Sequence, residues 1–308
     1  MSQMPPRFPH PDGFTLAELL TTIAVLALVT VFVAQLMNGA NRITSAGHRR
    51  IDSEMQAQQV FDRMAADFDQ MIKRSDLNYF FKAANTPMTG NDQIAFFAST
   101  TGHFPPSSNP NSNSRISLVA YRVNASLSNA NSANYNRLER MGKGLLWNGV
   151  STTIAPIVFL PVTIFETWPA ATDNITSDGD YGLLGSQVFR FEYYYLLNPG
   201  GPSGLSGLSA GPWADNNGSF RIKDIAAIAV AIGVIDPRSR SLLSRSQMET
   251  LAGTNAQTSP FGDFTVGDAG QLVSSWLTAL ATDSQIAAMP PEAIRNIRLY
   301  ERYFPLNQ

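Results

Sequence analysis

The feature that most constrains this chain is an uninterrupted apolar stretch near its N-terminus, at residues 14–37. Its only charged side chain is Glu18. As an α-helix these 24 residues measure about 36 Å, which is enough to cross a hydrocarbon core about 30 Å thick. A carboxylate inside such a helix costs about 3 kcal/mol unless it is paired, so Glu18 is a candidate functional residue.

The helix is expected to continue beyond the apolar stretch, because no proline occurs between Pro11 and Pro87. Apolar side chains recur there mostly at helical spacing: Ile51, Met55, Phe61, Met64, Phe68 and Met71. Polar residues supply the other face of the helix: Asp52, Gln56, Gln59, Arg63 and Asp67. The pattern predicts one helix to about Lys73, whose second half packs against a globular head.

Beyond residue 75 the pattern favours strands separated by loops rich in Asn, Ser, Pro and Gly. The predicted strands are 93–99, 115–123, 157–165, 188–197 and 220–235. In the last of them, bulky Ile and Val alternate with Ala and Gly, so one face is small enough for close helix packing. These elements predict an α+β, pilin-like fold: a long N-terminal helix on an antiparallel β-sheet head, with a helical C-terminal extension.

The predicted organisation has five parts along the chain. They are a leader (1–13), a transmembrane and assembly helix (14–37), its amphipathic continuation (38–75), a β-rich head (76–236) and a helical C-terminal extension (237–308). Within the extension, helices are expected at 241–251 and 268–282.

Residues 13–20 read Gly-Phe-Thr-Leu-Ala-Glu-Leu-Leu. This stretch resembles the cleavage and methylation motif of type IV prepilins and type II secretion pseudopilins. The resemblance implies that a prepilin peptidase cuts between Gly13 and Phe14 and that Phe14 is methylated. It also implies that Glu18 neutralises the Phe14 ammonium of a neighbouring subunit during assembly.

The same resemblance implies where the protein works and with what. The implied partners are other pilin or pseudopilin subunits, prepilin peptidase and an inner-membrane assembly platform. The implied location is the bacterial inner membrane, crossed once, with the head on the extracytoplasmic side.

The chain has 308 residues, which is long for a major pilin and favours a minor subunit. Residues 188–236 resemble the heads of J- or W-type minor pseudopilins, which have a tyrosine-rich strand, a loop with a tryptophan (here Trp213) and an apolar strand. The leader motif, residues 225–237 and residues 298–305 together resemble the pilin-like family called Verru_Chthon cassette protein C.

Composition narrows the function classes. The net charge is −2 with no run of Lys and Arg, so nucleic-acid binding is not predicted. The absence of cysteine excludes disulfides and thiolate chemistry. His10, His48 and His103 match no zinc-binding HExxH motif, and there is no GxSxG elbow, so no enzyme is predicted. Counting residues leaves a spatial Ser-His-acid triad open.

One loop has the oxygen ligands that calcium prefers: Asp173, Asp178 and Asp180 lie within eight residues. Their spacing does not match an EF-hand, and a solvated acidic turn explains them equally well. No resident cofactor is therefore predicted, with these residues kept as weak calcium candidates.

The alternative to a pilin-like subunit is a signal-anchored extracytoplasmic binding or adhesion domain, in which Gly13 and Glu18 are incidental. Only Arg7 precedes the apolar stretch, whereas Arg42, Arg49 and Arg50 follow it. This distribution favours the orientation opposite to that of a pilin. An anchored hydrolase is a third hypothesis, which requires convergent acidic or serine residues in a cleft.

Overall fold

A single long helix, α1 (Leu16–Asp69), leads into a β-rich body in the computed structural model. The described residues are 15–73, 80–81, 90–103, 113–125, 134–146, 180–198, 208–209, 225–254, 258–264 and 270–306. They divide after Ile51 into two compact units. The first unit contains the apolar half of α1. The second contains residues 52–69 of the helix and every described strand.

The first sheet of the body is antiparallel throughout and follows chain order. Its strands are β1 (Phe80–Phe81), β2 (Gln93–Ala98), β3 (Asn113–Val123), β4 (Leu138–Leu146) and β5 (Tyr181–Gly185). The chain leaving α1 joins this sheet at once, because the Ile72 amide donates to the Phe97 carbonyl at 2.8 Å. The helix end is thereby fixed to β2.

The second sheet starts after a two-residue turn at Ser186 and Gln187 and is also antiparallel. Its order is β7 (Leu208–Ser209), β6 (Val188–Leu197), β8 (Ile225–Val234) and β9 (Arg298–Pro305). Strand β9 therefore returns from the far end of the described chain and pairs with β8 at every one of its eight positions.

Short helices lie between β8 and β9. They are α2 (Pro237–Ser241), α3 (Arg245–Ala252), α4 (Leu272–Thr282), α5 (Ser284–Ala287) and α6 (Pro291–Ile294). Local chemistry sets their ends: Ser244 and Gln247 form a reciprocal capping box at the start of α3. Gly253 ends α3 with φ 66°, and a Cβ there would lie 2.8 Å from the Gly90 Cα. Only glycine satisfies both demands.

Two hydrophobic cores lie on opposite faces of the second sheet. The first contains the buried side of α1, including Val60, Met64 and Phe68. The second contains side chains of the short helices, such as Leu251 and Trp276. The α+β, pilin-like arrangement is thus confirmed, and the C-terminal helices are short.

The orientation predicted for β8 is reversed. Its bulky Ile228, Val230 and Ile232 belong to the core shared with α1, whereas Ala229 and Ala231 lie beneath the short helices. The physical reason is competition between two covering layers. Bulky aromatic and aliphatic side chains of the second layer, such as Trp276, fill the space above the small residues.

Strand β6 departs from simple alternation at one point. A register shift between Val188 and Arg190 places Phe189 in the core under the short helices, while Phe191 and Tyr193 face the α1 side. The two-residue period of a regular strand would place Phe189 on the same face as Phe191. The β-bulge adds one residue and switches the face, which strict alternation does not anticipate.

The strand predictions at 93–99, 115–123, 188–197 and 220–235 correspond to β2, β3, β6 and β8. Strands β4, β5 and β9 were missed, and β9 lies inside the extension that was predicted to be helical. The predicted strand at 157–165 lies outside the described residues.

Candidate assembly site

The start of α1 is built around Thr15 and Glu18. The Glu18 Oε2 atom accepts hydrogen bonds from the Thr15 amide and the Thr15 hydroxyl, both at 3.0 Å. In return the Glu18 amide donates to Thr15 Oγ1 at 3.3 Å. This reciprocal pair is a capping box, and it also places a negative charge at the positive end of the helix dipole.

Sequence reasoning gave Glu18 only a partner on another subunit and missed this local one. The signal was present in the sequence, because Thr15-Leu16-Ala17-Glu18 has the T-x-x-E spacing of a capping box. Gly13 and Phe14 lie outside the described residues, so the cleavage and methylation sites stay predictions.

The apolar half of α1 presents its side chains outwards. The large side chains that are 48–84% exposed are Leu16, Leu19, Leu20, Ile23, Val25, Leu26, Leu28, Val29, Val31, Phe32, Val33, Leu36 and Met37. The helix is long and apolar enough to cross a membrane, and its most apolar window is not buried by any described residue. This surface is an unpartnered apolar cylinder.

The hydroxyl groups on this cylinder are satisfied by the helix itself. The Thr21 hydroxyl donates to the Glu18 carbonyl at 3.0 Å, and the Thr22 hydroxyl donates to the Leu19 carbonyl at 2.9 Å. The Thr30 hydroxyl donates to the Leu26 carbonyl at 2.8 Å. A bilayer offers no water to polar groups, so internal satisfaction suits a helix surrounded by lipid or by other apolar helices.

The second half of α1 is held to the body by a buried carboxylate. Asp67 is 1% exposed and accepts two hydrogen bonds from Arg140, from Nε at 2.6 Å and Nη2 at 2.9 Å. It also accepts a hydrogen bond from the Tyr121 hydroxyl. Arg63 Nη2 lies 3.2 Å from Asp67 Oδ1 and forms an ion pair with it. Burial, followed by the charge of Asp67, raises the pKa of Tyr121 well above its usual value.

Asp67 is therefore buried, although its spacing places it on the polar face of the helix. Its helical position was assigned correctly to the polar side, but Arg140 and Tyr121 from β4 and β3 cover that side at this turn. The sequence around Asp67 gives no signal of its partners, since these lie 54 and 73 residues away.

Strand β9 supplies a second attachment. The Phe304 ring lies 5.2 Å from the Phe68 ring in an edge-on arrangement and 6.1 Å from that of Phe61. Nearby, Arg302 Nη1 lies 2.7 Å from Asp62 Oδ1 in an exposed ion pair. Residues 52–69 of α1 thus contact strands of both sheets.

The calcium candidates are only partly described. Asp173 and Asp178 lie outside the described residues. Asp180 Oδ2 accepts a hydrogen bond from the buried Lys143 ammonium at 2.6 Å. Among the described residues, no group of three His, Asp or Glu side chains is placed to hold a metal ion.

Comparison with known proteins finds a similarity over part of the chain. Over 118 residues the chain is 32% identical to a type II secretion system protein J of Klebsiella pneumoniae. The match covers 37% of this chain, and the chain spans 58% of the length of that relative. No protein-family model matches the chain. This partial similarity supports a pseudopilin-like family for the chain.

Proposed function

We propose that this chain is a minor pilin or pseudopilin subunit of a type II secretion-like or type IV pilus-like filament, assembled through its N-terminal helix. The observation that carries the proposal is the exposed apolar cylinder of α1, joined in sequence to a helical segment that is packed into an α+β head. The similarity to a type II secretion protein J supports it. The role is structural rather than catalytic.

The proposal includes processing and location. Prepilin peptidase cuts between Gly13 and Phe14, Phe14 is methylated, and the helix crosses the bacterial inner membrane once with the head outside the cytoplasm. An inner-membrane platform and other subunits then draw the helix into a filament. Within this class we favour a J- or W-type subunit, and the Verru_Chthon cassette protein C family is the narrower proposal. No cofactor is required.

Glu18 has two successive roles in this scheme. In the separate chain its Oε2 atom is held by Thr15, which lowers the cost of keeping the carboxylate in an apolar helix. On assembly the same carboxylate pairs with the Phe14 ammonium of a neighbouring subunit, since charges in a bilayer persist by pairing.

The first test is the N-terminus of the membrane-extracted protein, measured by intact mass spectrometry in a host with prepilin peptidase. We expect a chain that begins at methylated Phe14. A chain that still begins at Met1 while the peptidase processes its other substrates contradicts the proposal.

A pair of Glu18 variants separates capping from charge pairing. Glu18→Gln keeps a carbonyl that can accept the Thr15 hydrogen bonds, because Gln also serves in capping boxes. Glu18→Ala removes both functions. We expect both variants to lose filament incorporation, measured by cross-linking to co-expressed subunits. Normal incorporation of Glu18→Gln shows that the charge is dispensable and overturns the pairing role.

A signal-anchored extracytoplasmic domain is the second candidate, and one observation favours it. The capping box gives Glu18 a sufficient local role without any second subunit. Under that function the mature protein keeps residues 1–13, and Glu18→Ala changes membrane insertion and ligand binding little. The mass measurement therefore separates the two candidates.

A further inference from the structure

The turn between β3 and β4 is docked onto the short helices by an arginine. Arg240 of α2 donates from Nη1 to the Asn136 carbonyl at 3.1 Å and from Nη2 to the Tyr135 carbonyl at 2.9 Å. The Thr254 hydroxyl donates to Asn136 Oδ1 at 2.9 Å, and Asn136 itself has φ 54°. These contacts fix Tyr135 and Asn136, and the next residue, Arg137, is placed beside Arg240.

Arg137 and Arg240 are both half-buried, and the guanidinium of Arg240 lies beside the backbone that leads into Arg137. Arg240 is bonded to carbonyl oxygens rather than to a carboxylate. The Nε atom of Arg137 is buried and has no hydrogen-bond partner. Burial, followed by the charge of Arg137, lowers the pKa of Arg240 to about 10. Like charges near each other in a poorly solvated place destabilise the free protein.

Glu249 and Asp236 each have hydrogen-bond partners other than Arg137 and Arg240. Glu249 accepts the Tyr135 hydroxyl at 2.9 Å and Arg245 Nε at 3.0 Å. Asp236 Oδ1 accepts two backbone amides at the start of α2, and its Oδ2 atom is buried without a hydrogen-bond partner. Among the described residues, no carboxylate forms an ion pair with Arg137 or Arg240. The adjoining segments 126–133 and 255–257 contain no Asp or Glu in their sequences.

We propose that the Arg137–Arg240 pair is a docking site for a carboxylate-bearing segment of a partner protein. Its identification as another filament subunit rests on the proposed function. Paired guanidinium groups recognise carboxylates through charge-assisted hydrogen bonds. An acidic partner supplies the missing negative charge, so binding relieves the repulsion within the free head.

A protein carboxylate fits this site better than the other anions. Phosphate sites usually align backbone N–H groups at a helix N-terminus or nest. Here the backbone groups next to the guanidinium of Arg240 are carbonyls, and Arg240 lies in the last turn of α2. Nucleic acid requires a basic surface of larger extent, and the chain carries a net charge of −2.

The test uses the full chain in a non-ionic detergent and a fluorescein-labelled hexaglutamate peptide, with binding followed by anisotropy at low salt. We expect Arg137→Gln to weaken binding about tenfold, equivalent to the loss of one charge-assisted contact. Arg115→Gln is the matched control, because Arg115 is exposed on β3 and the charge change is identical. We expect it to alter binding less than about twofold.

Inorganic phosphate is added in a second arm, against sodium chloride of equal ionic strength. We expect both salts to displace the peptide equally, as screening alone predicts. Equal losses in Arg137→Gln and Arg115→Gln show non-specific attraction and overturn the proposal. Displacement by phosphate far below the chloride concentration assigns the site to a small anion instead and also overturns it.

Thermal unfolding distinguishes a docking role from a structural one. Arg240→Gln removes hydrogen bonds to the turn, so a fall in Tm is expected for it and decides nothing alone. Arg137→Gln removes only repulsion, so its Tm should stay constant or rise. A lower Tm with unchanged peptide binding makes Arg137 structural and overturns the proposal. The peptide-binding assay does not require cleavage at Gly13. Its result is therefore independent of whether the N-terminus is processed.

Discussion

The two halves of α1 differ in where their apolar side chains find partners. In the first half, Leu26 is 67% exposed and Leu36 is 73% exposed. In the second half, Val60 and Met64 are 0% exposed and Phe68 is 2% exposed. The chain itself stabilises the second half. The first half needs an apolar environment from outside the chain, which a bilayer or neighbouring helices can provide.

The sequence already contains this difference as a change of periodicity. Residues 16–37 are apolar all round, which is typical of a helix with lipid or protein on every side. Beyond residue 50, apolar positions recur at three- and four-residue spacing and leave a polar face. A helix with one apolar stripe can bury that stripe against one globular head. A helix that is apolar on all sides can be surrounded by lipid or by other helices.

Replacing the buried carboxylate of the second half should have the largest effect. Asp67→Asn leaves the Arg140 guanidinium, whose side chain is 17% exposed, without its anion. We expect a loss of about 3–5 kcal/mol in the free energy of unfolding, as when one partner of a buried pair is removed. Denaturant titration followed by the fluorescence of the buried Trp276 measures it.

The control for this variant is Asp62→Asn, which breaks the exposed pair with Arg302. An exposed pair of this kind contributes about 0.2–1 kcal/mol. Equal destabilisation by the two variants is incompatible with Asp67 as the attachment point of the helix.

Equivalent truncations in the two halves should separate stability from assembly. Met64→Ala empties a fully buried position, so we expect a loss of about 2–5 kcal/mol in the free energy of unfolding. Leu26→Ala changes an exposed position and should alter that free energy by no more than about 0.5 kcal/mol. Leu26→Ala should instead reduce cross-linking to neighbouring subunits, and a loss of head stability from it would contradict the division of roles.

Alkaline pH should weaken the second half through Tyr121. Because its pKa is raised in the folded protein, the unfolded chain loses the proton first, at about pH 10. The contribution of Tyr121 is fully present below that pH. It falls by about 1.4 kcal/mol per pH unit above it until the folded pKa is reached. Tyr121→Phe should make the fall of unfolding free energy above pH 10 less steep, although Tyr193 and Tyr195, whose pKa values are also raised, keep part of it. An unchanged slope contradicts the assignment.

The smallest effect is expected at the start of the first half. Thr15→Ala removes the hydroxyl of the capping box, which costs about 1 kcal/mol of local helix stability. Hydrogen exchange of the first amides of α1 in detergent micelles should become faster by about fivefold, while the head is unaffected. Thr15→Ser keeps the hydroxyl and should exchange as the wild type does.

The α+β arrangement was predictable because its main signals are local. The long helix followed from an apolar run and a proline-free interval, and β6 was predicted with its observed bounds because Val188–Leu197 is dense in aromatic residues. Strand β4 was missed because its sequence, LERMGKGLL, is unlike that of a typical strand. Its first seven positions contain three charged residues, Glu139, Arg140 and Lys143, and two glycines. Its pairing with β3 stabilises it, which local propensity does not report.

The residues of the candidate site were predictable only where they lie close together in the sequence. Glu18 was identified from the cost of its charge in an apolar helix, and Thr15 was available from its spacing. Asp67, Arg140 and Tyr121 come from three elements, so only the fold brings them together. The small face of β8 was recognised, but which layer covers it depends on the volumes of side chains far away in the sequence.

The contact between β9 and the long helix can form only late in the synthesis of the chain. Phe304 and Arg302 reach α1 only after some 240 further residues have been synthesised beyond Asp62. At usual elongation rates this takes about 10 to 50 s. During that interval the side of α1 that β9 later covers lacks this contact, so its apolar surface is exposed in the nascent chain.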